Sequence, residues 1–318
     1  MSRNIVQTIL SIAAAVLSAT FARAQAQRTY ISFDVPGATV TSPQGINAEG
    51  AVVGASTDSN GKQHGFLLSG GSVTTIDYPG ALATIARGIN SRGDIVGTHV
   101  DATGLPGGGL KGFLWKAGGF TDLNYPGHMN TIAVKITNEG VIVGCYHDTD
   151  TMGTMHGMMF DGTHYSDLST PASMNNGVLP DGSMTAGLYT DMMTNVTHAY
   201  LQSSGNIASF DFPFSIATSA WDMNPSVQVV GNYTDIAKKV HGFLLTPSVF
   251  ESTFGITPVP GVAPSYNFES IDFPGAVTTN SWAINSRAEI VGSYVDLAGK
   301  THGYLTVAPR RRQRTDQE

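Results

Sequence analysis

One sequence motif recurs six times along this chain of 318 residues, and it restricts the fold more than any other feature. Each copy is anchored by a glycine that in most copies follows an Ile/Val-Val pair, and successive anchors lie 43, 47, 43, 44 and 61 residues apart. An aspartate stands four residues after every anchor. The anchors are Gly54, Gly97, Gly144, Gly187, Gly231 and Gly292, and the aspartates are Asp58, Asp101, Asp148, Asp191, Asp235 and Asp296. A repeat of this length is typical of solenoids and propellers.

The residues between the anchors predict four short β-strands per repeat. Runs rich in Ile, Val, Tyr and Phe alternate with Pro-Gly, Asn-containing and Asp-x-x-Gly turns, as hairpins require. Only 13% of the residues are charged and 37 are glycine, which suits a turn-rich β protein. Four strands in about 43 residues is the period of a propeller blade. We therefore predict an all-β, six-bladed β-propeller of four antiparallel strands per blade, covering residues 29–308.

The two ends of this repeat region complement each other. The last copy stops after its third strand, from His302 to Val307, whereas the first copy is preceded by an orphan strand from Thr29 to Asp34. Pairing these two strands would complete the last blade and leave few exposed sheet edges. We expect the N-terminal strand to close the propeller in this way.

The triplets His64-Gly65-Phe66 and His241-Gly242-Phe243 lie after the turns that the repeated aspartates begin, and Gly-Ile-Asn precedes two of the anchors. In this combination the sequence resembles the HAF-type extracellular repeat proteins over about residues 29–308. The resemblance implies export and a repeated β architecture. It implies no established reaction, so it assigns no catalytic residue.

The chain termini predict export. Arg3, the apolar stretch that follows it and the small residues Ala22 and Ala24 resemble a signal peptide at residues 1–24, with cleavage after 24 or after 26. We expect residues 309–318 to be a disordered, Arg-rich tail. Cys145 is the only cysteine, so an internal disulfide is excluded. The sequence contains no second long apolar segment, and we expect a secreted or periplasmic monomer without a transmembrane segment.

Charge excludes one class of partner. The chain has 24 acidic and 17 basic residues, and six of the arginines lie in the two terminal segments. The body between them is therefore more acidic than the chain as a whole, which argues against nucleic acid as a partner.

The six repeated aspartates fit a structural role. Asp58, Asp101 and Asp296 each begin an Asp-x-x-Gly turn, where a carboxylate accepts hydrogen bonds from backbone N–H groups. A histidine opens the next strand in five copies, so an acid and an imidazole face each other across the hairpin. A residue used once in every repeat is typical of a scaffold, and we predict that none of the six aspartates is a catalytic acid.

Departures from the repeat are better candidates for a binding site. Ten residues before each anchor, a position that would lie near the central axis, the chain has Gln44, Arg87, Val134, Gly177, Trp221 and Trp282. Two tryptophans with Gln44 and Arg87 would form a platform for a planar or sugar-like ligand. Packing between blades is the alternative interpretation of the same residues.

Methionine is also distributed unevenly. Nine of the 11 methionines lie between Met129 and Met193, and several are close in sequence to histidines. Thioether and imidazole ligands outside the cytoplasm suit copper, although no Met-x-Met spacing is present. The candidate ligands for copper, or for another divalent metal, are Met152, Met155, His147, His156, Met192 and Met193. No cofactor is firmly implied.

Two functional hypotheses follow from these observations. The first is an exported β-propeller that acts as a binding or surface-interaction module, for a carbohydrate or a cell-envelope partner. The alternative is a metal-assisted hydrolase or lyase with its site at the mouth of the propeller channel. The two differ in the side chains expected around the axis, because chemistry needs several unlike polar groups that converge on one point.

Overall fold

The structure, a computed structural model, describes residues 28–101, 109–128, 130–148, 155–171, 173–247 and 266–307. These residues form 24 β-strands and no helix. The strands are β1 (Thr29–Phe33), β2 (Val40–Ile46), β3 (Val52–Thr57), β4 (Gln63–Ser69), β5 (Ser72–Ile76), β6 (Ala83–Ile89), β7 (Ile95–Val100), β8 (Leu110–Lys116), β9 (Gly119–Leu123), β10 (Asn130–Ile136), β11 (Ile142–His147), β12 (Met155–Phe160), β13 (Tyr165–Pro171), β14 (Ser173–Val178), β15 (Met184–Thr190), β16 (Thr197–Ser203), β17 (Asn206–Phe210), β18 (Ala217–Met223), β19 (Val229–Thr234), β20 (Val240–Pro247), β21 (Tyr266–Ile271), β22 (Thr278–Ile284), β23 (Ile290–Val295) and β24 (Thr301–Val307).

The strands form antiparallel four-stranded sheets, as the repeat predicts. Units two to five are separate sheets, β6–β9, β10–β13, β14–β17 and β18–β21. Unit one (β2–β5) and unit six (β22–β24) belong to one eight-stranded sheet, where a single parallel bridge, Val40 to Thr301, joins them. The prediction of an all-β fold built from four-stranded sheets is confirmed.

The N-terminal strand belongs to the last unit. β1 pairs antiparallel with β24, with Thr29 opposite Val307 and Phe33 opposite Gly303. Arg28, just before β1, donates to the Glu269 carboxylate at 2.8 Å. The predicted pairing of the two chain ends is therefore confirmed.

The first strands of the units pack against one another in sequence order. β2 contacts β6, and the series continues through β10, β14 and β18 to β22, which again contacts β2. Buried apolar side chains fill the spaces between neighbouring sheets. At the junction of units one and six, Ile46, Val52 and Phe66 pack on Ala283 and Val291.

The anchor glycines are required by close packing inside each sheet. A Cβ atom at Gly292 would collide with the carbonyl oxygen of Asn280 on the first strand and lie 2.8 Å from ring atoms of Tyr304 on the third. Gly54, Gly97 and Gly231 have the same kind of neighbours. The invariance of this position within the repeat is therefore steric.

Each first strand contains a β-bulge opposite its anchor glycine. The pairing slips by one residue there, between Pro43 and Gly45 in unit one and at the equivalent place in the other five units. The extra residues, called the bulge residues below, are Gln44, Arg87, Val134, Asn176, Trp221 and Trp282.

In unit four this register corrects the sequence alignment, which placed Gly177 among these residues. The turn after β14 is one residue longer than in unit one, since Leu179 N–H donates to the Met184 carbonyl, five residues on, whereas Asn47 N–H donates to Ala51. Asn176 is therefore the bulge residue. For the same reason Leu179, and not Pro180, occupies the position of the repeated asparagine.

That repeated asparagine joins neighbouring units. Its Oδ1 caps the turn between the first and second strands, and its Nδ2 donates to the backbone carbonyl of the equivalent residue in the next unit. Asn47 thus binds Asn90, and Asn90 binds Thr137, each at 3.1 Å. Asn285 of unit six binds Asn47 of unit one at 3.1 Å, across the two ends of the chain.

The predicted turn caps are confirmed for four of the six aspartates. Asp58 accepts from the N–H groups of Asn60 and Lys62 at 2.8 and 2.9 Å, and Asp191, Asp235 and Asp296 accept backbone N–H groups of their turns. The turns after Asp101 and Asp148 lie largely outside the described residues, as do the predicted signal peptide and the Arg-rich tail. Within the described ranges, no helix is long and apolar enough to cross a membrane.

Candidate functional site

The bulge residues lie at equivalent positions on the first strands, which contact one another in the order β2, β6, β10, β14, β18 and β22. Between neighbouring first strands there is no room for a side chain, because a Cβ atom at Gly45 would lie 2.6 Å from the Arg87 carbonyl oxygen and 3.2 Å from Gly88. Gln44 is partly buried, and so are Arg87, Trp221 and Trp282, whereas Asn176 is completely buried.

The two tryptophans contact each other directly. The ring centroids of Trp221 and Trp282 are 4.6 Å apart and the planes are inclined by 77°, an edge-to-face arrangement. Trp221 Nε1 donates to Ser219 Oγ at 3.1 Å, and Trp282 Nε1 donates to Ser293 Oγ at 3.2 Å. Both indoles are thus fixed in orientation while part of each remains exposed.

Trp221 also contacts the preceding units. It packs against a buried cluster of units three and four that contains Ile132, Val134, Cys145 and Met174. The tryptophans therefore take part in packing between units, as the alternative interpretation of the sequence held, and they also present an exposed aromatic surface. The structure thus brings two of the four predicted platform residues, Trp221 and Trp282, into direct contact.

Arg87 is partly buried, and its side chain makes one hydrogen bond among the described residues. Its Nε donates to Thr98 Oγ1 at 3.3 Å, and no carboxylate of the described residues approaches its guanidinium within 4.0 Å. Burial lowers the pKa of Arg87 below its ordinary value, because desolvation disfavours the charged form, while the nearby Cys145 opposes this shift. Gln44, in unit one, bonds through Nε2 to Ser42 Oγ at 3.0 Å.

The residues two positions before the bulge residues are polar in three units and apolar in the other three. Two residues before the bulge, units five, six and one have Ser219, Asn280 and Ser42. At the same position, units two, three and four have an apolar side chain, respectively Ile85, Ile132 and Met174. Hydroxyl and amide groups therefore lie on the side of the tryptophans, and Arg87 extends from the apolar side.

An ion pair that the sequence analysis missed joins units three and five at the position directly after the bulge. The residue after the bulge is glycine in units one, two and four, but it is Lys135 in unit three and Asp222 in unit five. Lys135 Nζ binds Asp222 Oδ2 across unit four, where Gly177 leaves room for the contact. Lysine and aspartate in an otherwise glycine-rich position were the signal that would have revealed the pair.

Asp222 is completely enclosed by this arrangement. It is 1% exposed and also accepts the backbone N–H groups of Met223 at 2.8 Å and Ile284 at 3.0 Å. Burial raises the pKa of Asp222, and the Lys135 ammonium and the two N–H groups oppose that shift. The pair ties units three, five and six together.

A cavity of about 120 Å³ opens beyond this ion pair, at the end where the asparagine turns lie. Lys135 lines it together with Ile46, Ile89 and Ile284. The asparagine amides at its rim already bond to neighbouring units. None of the bulge residues lines this cavity, so it is separate from the tryptophan pair.

The structure brings two of the predicted copper ligands together and separates a third from them. His147 and Met155 are paired across β11 and β12, whereas His156 is paired with Tyr146 and so lies on the opposite face of the same sheet. His147 is 3% exposed, and His156 binds Asp148 at 2.8 Å.

Two of the remaining methionine candidates lie on the surface. Met192 and Met193 are 75% and 96% exposed in a hairpin of the next unit, and Met152 lies outside the described residues. Within the described ranges no three His, Cys, Asp or Glu side chains are grouped so as to hold a metal ion.

Histidines of the repeat bind two acids each in units five, six and one. His302 contacts Asp296 at 3.1 Å and Asp34 at 3.0 Å, and His241 contacts Asp235 at 3.3 Å and Asp272 at 2.6 Å. His64 contacts Asp77 at 2.7 Å. These pairs hold a hairpin against the segment that leads to the next unit, in agreement with the structural role proposed from the sequence.

Unit two departs from this pattern. Lys111 replaces the histidine and binds Asp101 at 2.7 Å, while His99 occupies the place of the tyrosines on which the other histidines stack. His99 is 2% exposed, stacks on Tyr78 at 3.6 Å and lies 3.3 Å from Asp101. Burial lowers the pKa of His99, and Asp101 and Asp122 oppose that shift.

Comparisons with known proteins add limited information. No family model matches the chain, and no curated protein does. Among solved structures, a putative TolB from Agrobacterium tumefaciens gives a TM-score of 0.42 at 12% identity over 74% of this chain and 67% of that one. A six-bladed β-propeller lectin of Aleuria aurantia gives 0.45 at 11% identity over 88% and 91%. A puromycin hydrolase gives 0.42 at 12% identity over 90% and 46%.

Proposed function

We propose that the six units form a closed six-bladed β-propeller whose central channel is lined by the bulge residues. The contacts of the first strands, which run from β2 through β22 and back to β2, support closure. So do the pairing of β1 with β24 and the hydrogen bond from Asn285 to Asn47. In this arrangement the exposed parts of Trp221 and Trp282 lie in the channel.

The protein is proposed to be an exported, monomeric binding module of the HAF type, secreted or periplasmic, whose ligand is a carbohydrate of the cell envelope or its surroundings. One observation carries the proposal, the Trp221–Trp282 pair, which occupies two of six equivalent positions and is partly exposed. Aromatic rings bury the apolar face of a sugar, and neighbouring polar groups fix its hydroxyls. Ser42, Ser219 and Asn280 supply such groups on the same side.

No observation in the described residues singles out the alternative, a metal-assisted hydrolase or lyase. Binding through the tryptophan pair requires only the contacts described above. The repeated aspartates and histidines are engaged in turns and pairs that recur in several units, as a scaffold requires.

The test is a binding screen of the mature protein against envelope and matrix polysaccharides, followed by calorimetry. We expect Trp282→Ala to weaken binding at least about tenfold, which corresponds to about 1.4 kcal/mol. Trp115→Ala is the matched control, because Trp115 packs in unit two away from the bulge residues and should leave affinity unchanged. A screen without any binding polysaccharide, or equal affinity of a folded Trp282→Ala variant, would overturn the proposal.

A further inference from the structure

Arg87 is the one charged side chain among the six bulge residues. Gln44, Val134, Asn176, Trp221 and Trp282 are neutral, and the repeat itself does not require a cation at this position. The single hydrogen bond of Arg87 uses Nε, so that its two Nη groups have no acceptor in the part of the chain that the structure describes.

A partly buried guanidinium without a carboxylate is unusual in this protein. Arg28 and Lys135, whose side chains are 8% and 14% exposed, bind Glu269 and Asp222 respectively. The protein has more acidic than basic residues, so carboxylates are not scarce. Removing a cation from water costs free energy unless an anion compensates for it. The compensation for Arg87 is therefore expected from outside the chain.

We propose that Arg87 binds the carboxylate of an acidic sugar, so that the ligand of the channel is a uronic acid or a short saccharide that carries one. This inference rests on the proposed function. The planar guanidinium, held by Thr98 through Nε, presents its two Nη groups to one planar carboxylate, for which this fork is suited.

The surroundings of Arg87 fit this class of ligand. In the proposed closed ring, unit two with Arg87 lies opposite unit five with Trp221. A sugar ring whose carboxylate binds Arg87 would extend toward the tryptophans and toward Ser219 and Asn280. The excess of acidic residues disfavours long polyanions, which favours a ligand with a single carboxylate at the site.

The experiment compares galacturonic acid with its methyl ester, which has the same sugar ring but carries one additional methyl group and no charge. Binding is followed by calorimetry and by tryptophan fluorescence at low and high salt. We expect the acid to bind roughly tenfold to a hundredfold more tightly than the ester, as a charge-assisted contact gives. Added salt should weaken binding of the acid and leave binding of the ester unchanged.

Arg87→Gln is the decisive variant, because Gln44 fills the equivalent position in unit one and bonds to Ser42 there. It should remove the preference for the acid and retain the affinity for the ester, whereas Trp282→Ala should weaken both. Equal binding of acid and ester to the wild type would overturn the role of Arg87 and leave the carbohydrate proposal standing. Tighter binding of galactose 6-sulfate than of galacturonic acid would overturn the assignment to a carboxylate. Failure of every saccharide to bind would overturn both proposals.

Discussion

Replacing Asn285 by alanine tests whether the ring of units is closed. Asn285 is 4% exposed, and its side chain makes four hydrogen bonds. Its Nδ2 donates to the Asn47 carbonyl at 3.1 Å and to Glu289 Oε2 at 2.7 Å. Its Oδ1 accepts the N–H groups of Arg287 and Glu289 at 2.9 and 3.1 Å. The first of these bonds joins the last unit to the first.

The expected loss follows from these contacts. A net intramolecular hydrogen bond contributes about 1 kcal/mol, and a buried group left without a partner costs more. Water can replace part of the cap on the exposed side of the turn, so we expect Asn285→Ala to lower the free energy of unfolding by about 2–4 kcal/mol. In a protein of this size this corresponds to a fall in Tm of roughly 4–16 °C. Urea unfolding and calorimetry measure both quantities.

Asn90 supplies a matched control inside the chain. It makes the same four kinds of bond, to Thr137, Asp94 Oδ2 and the N–H groups of Arg92 and Asp94. Asn90→Ala should therefore cost about as much as Asn285→Ala, whereas the exposed Asn267→Ala should change stability by less than about 0.5 kcal/mol. This prediction would be refuted if Asn90→Ala lowered stability while Asn285→Ala were as stable as Asn267→Ala. That result would show that Asn285 does not join unit six to unit one.

Three further predictions concern the scaffold. Gly292→Ala should cost about 2–4 kcal/mol through its collision with Asn280, whereas Gly119→Ala, whose nearest neighbour would lie 3.7 Å away, should be neutral in urea unfolding. The hydrogen bond from the Lys300 N–H is the main cause that lowers the pKa of the Asp296 carboxyl below its ordinary value of 3.8. The carboxylate therefore stabilises the folded state fully above pH 3.8, and this stabilisation is lost as the pH falls through the lower pKa of the native state. Asp296→Asn should reduce the fall in Tm that acid causes, and the same fall in Tm for the variant and the wild type would contradict this. Removing residues 28–34 should lower the free energy of unfolding by on the order of 5 kcal/mol, about 1 kcal/mol for each of the five residues paired with β24. The reference is a chain that begins at residue 28, and an equal Tm for the two chains would refute this prediction.

The local architecture of this protein was accessible from its sequence. Strand periodicity, Asp-x-x-Gly turns and the Pro-Gly linkers act over a few residues, and their repetition predicted the four-stranded sheets. The two incomplete ends, Thr29–Phe33 and Thr301–Val307, predicted their own pairing because an unpaired edge strand is unfavourable. Capping by Asp58 and Asp296 was predictable for the same local reason.

The tertiary structure alone decided which side chains meet. One additional residue in the turn after β14 moved Asn176 into the place that sequence spacing gave to Gly177. The Lys135–Asp222 pair joins residues 87 positions apart, and its partners are brought together only by the packing of the first strands. His147 and His156 looked like shared ligands in the sequence, yet the alternation of side chains along paired strands separates them onto opposite faces. Spacing along the chain determines turns and strands, whereas register and the packing of distant strands determine the site.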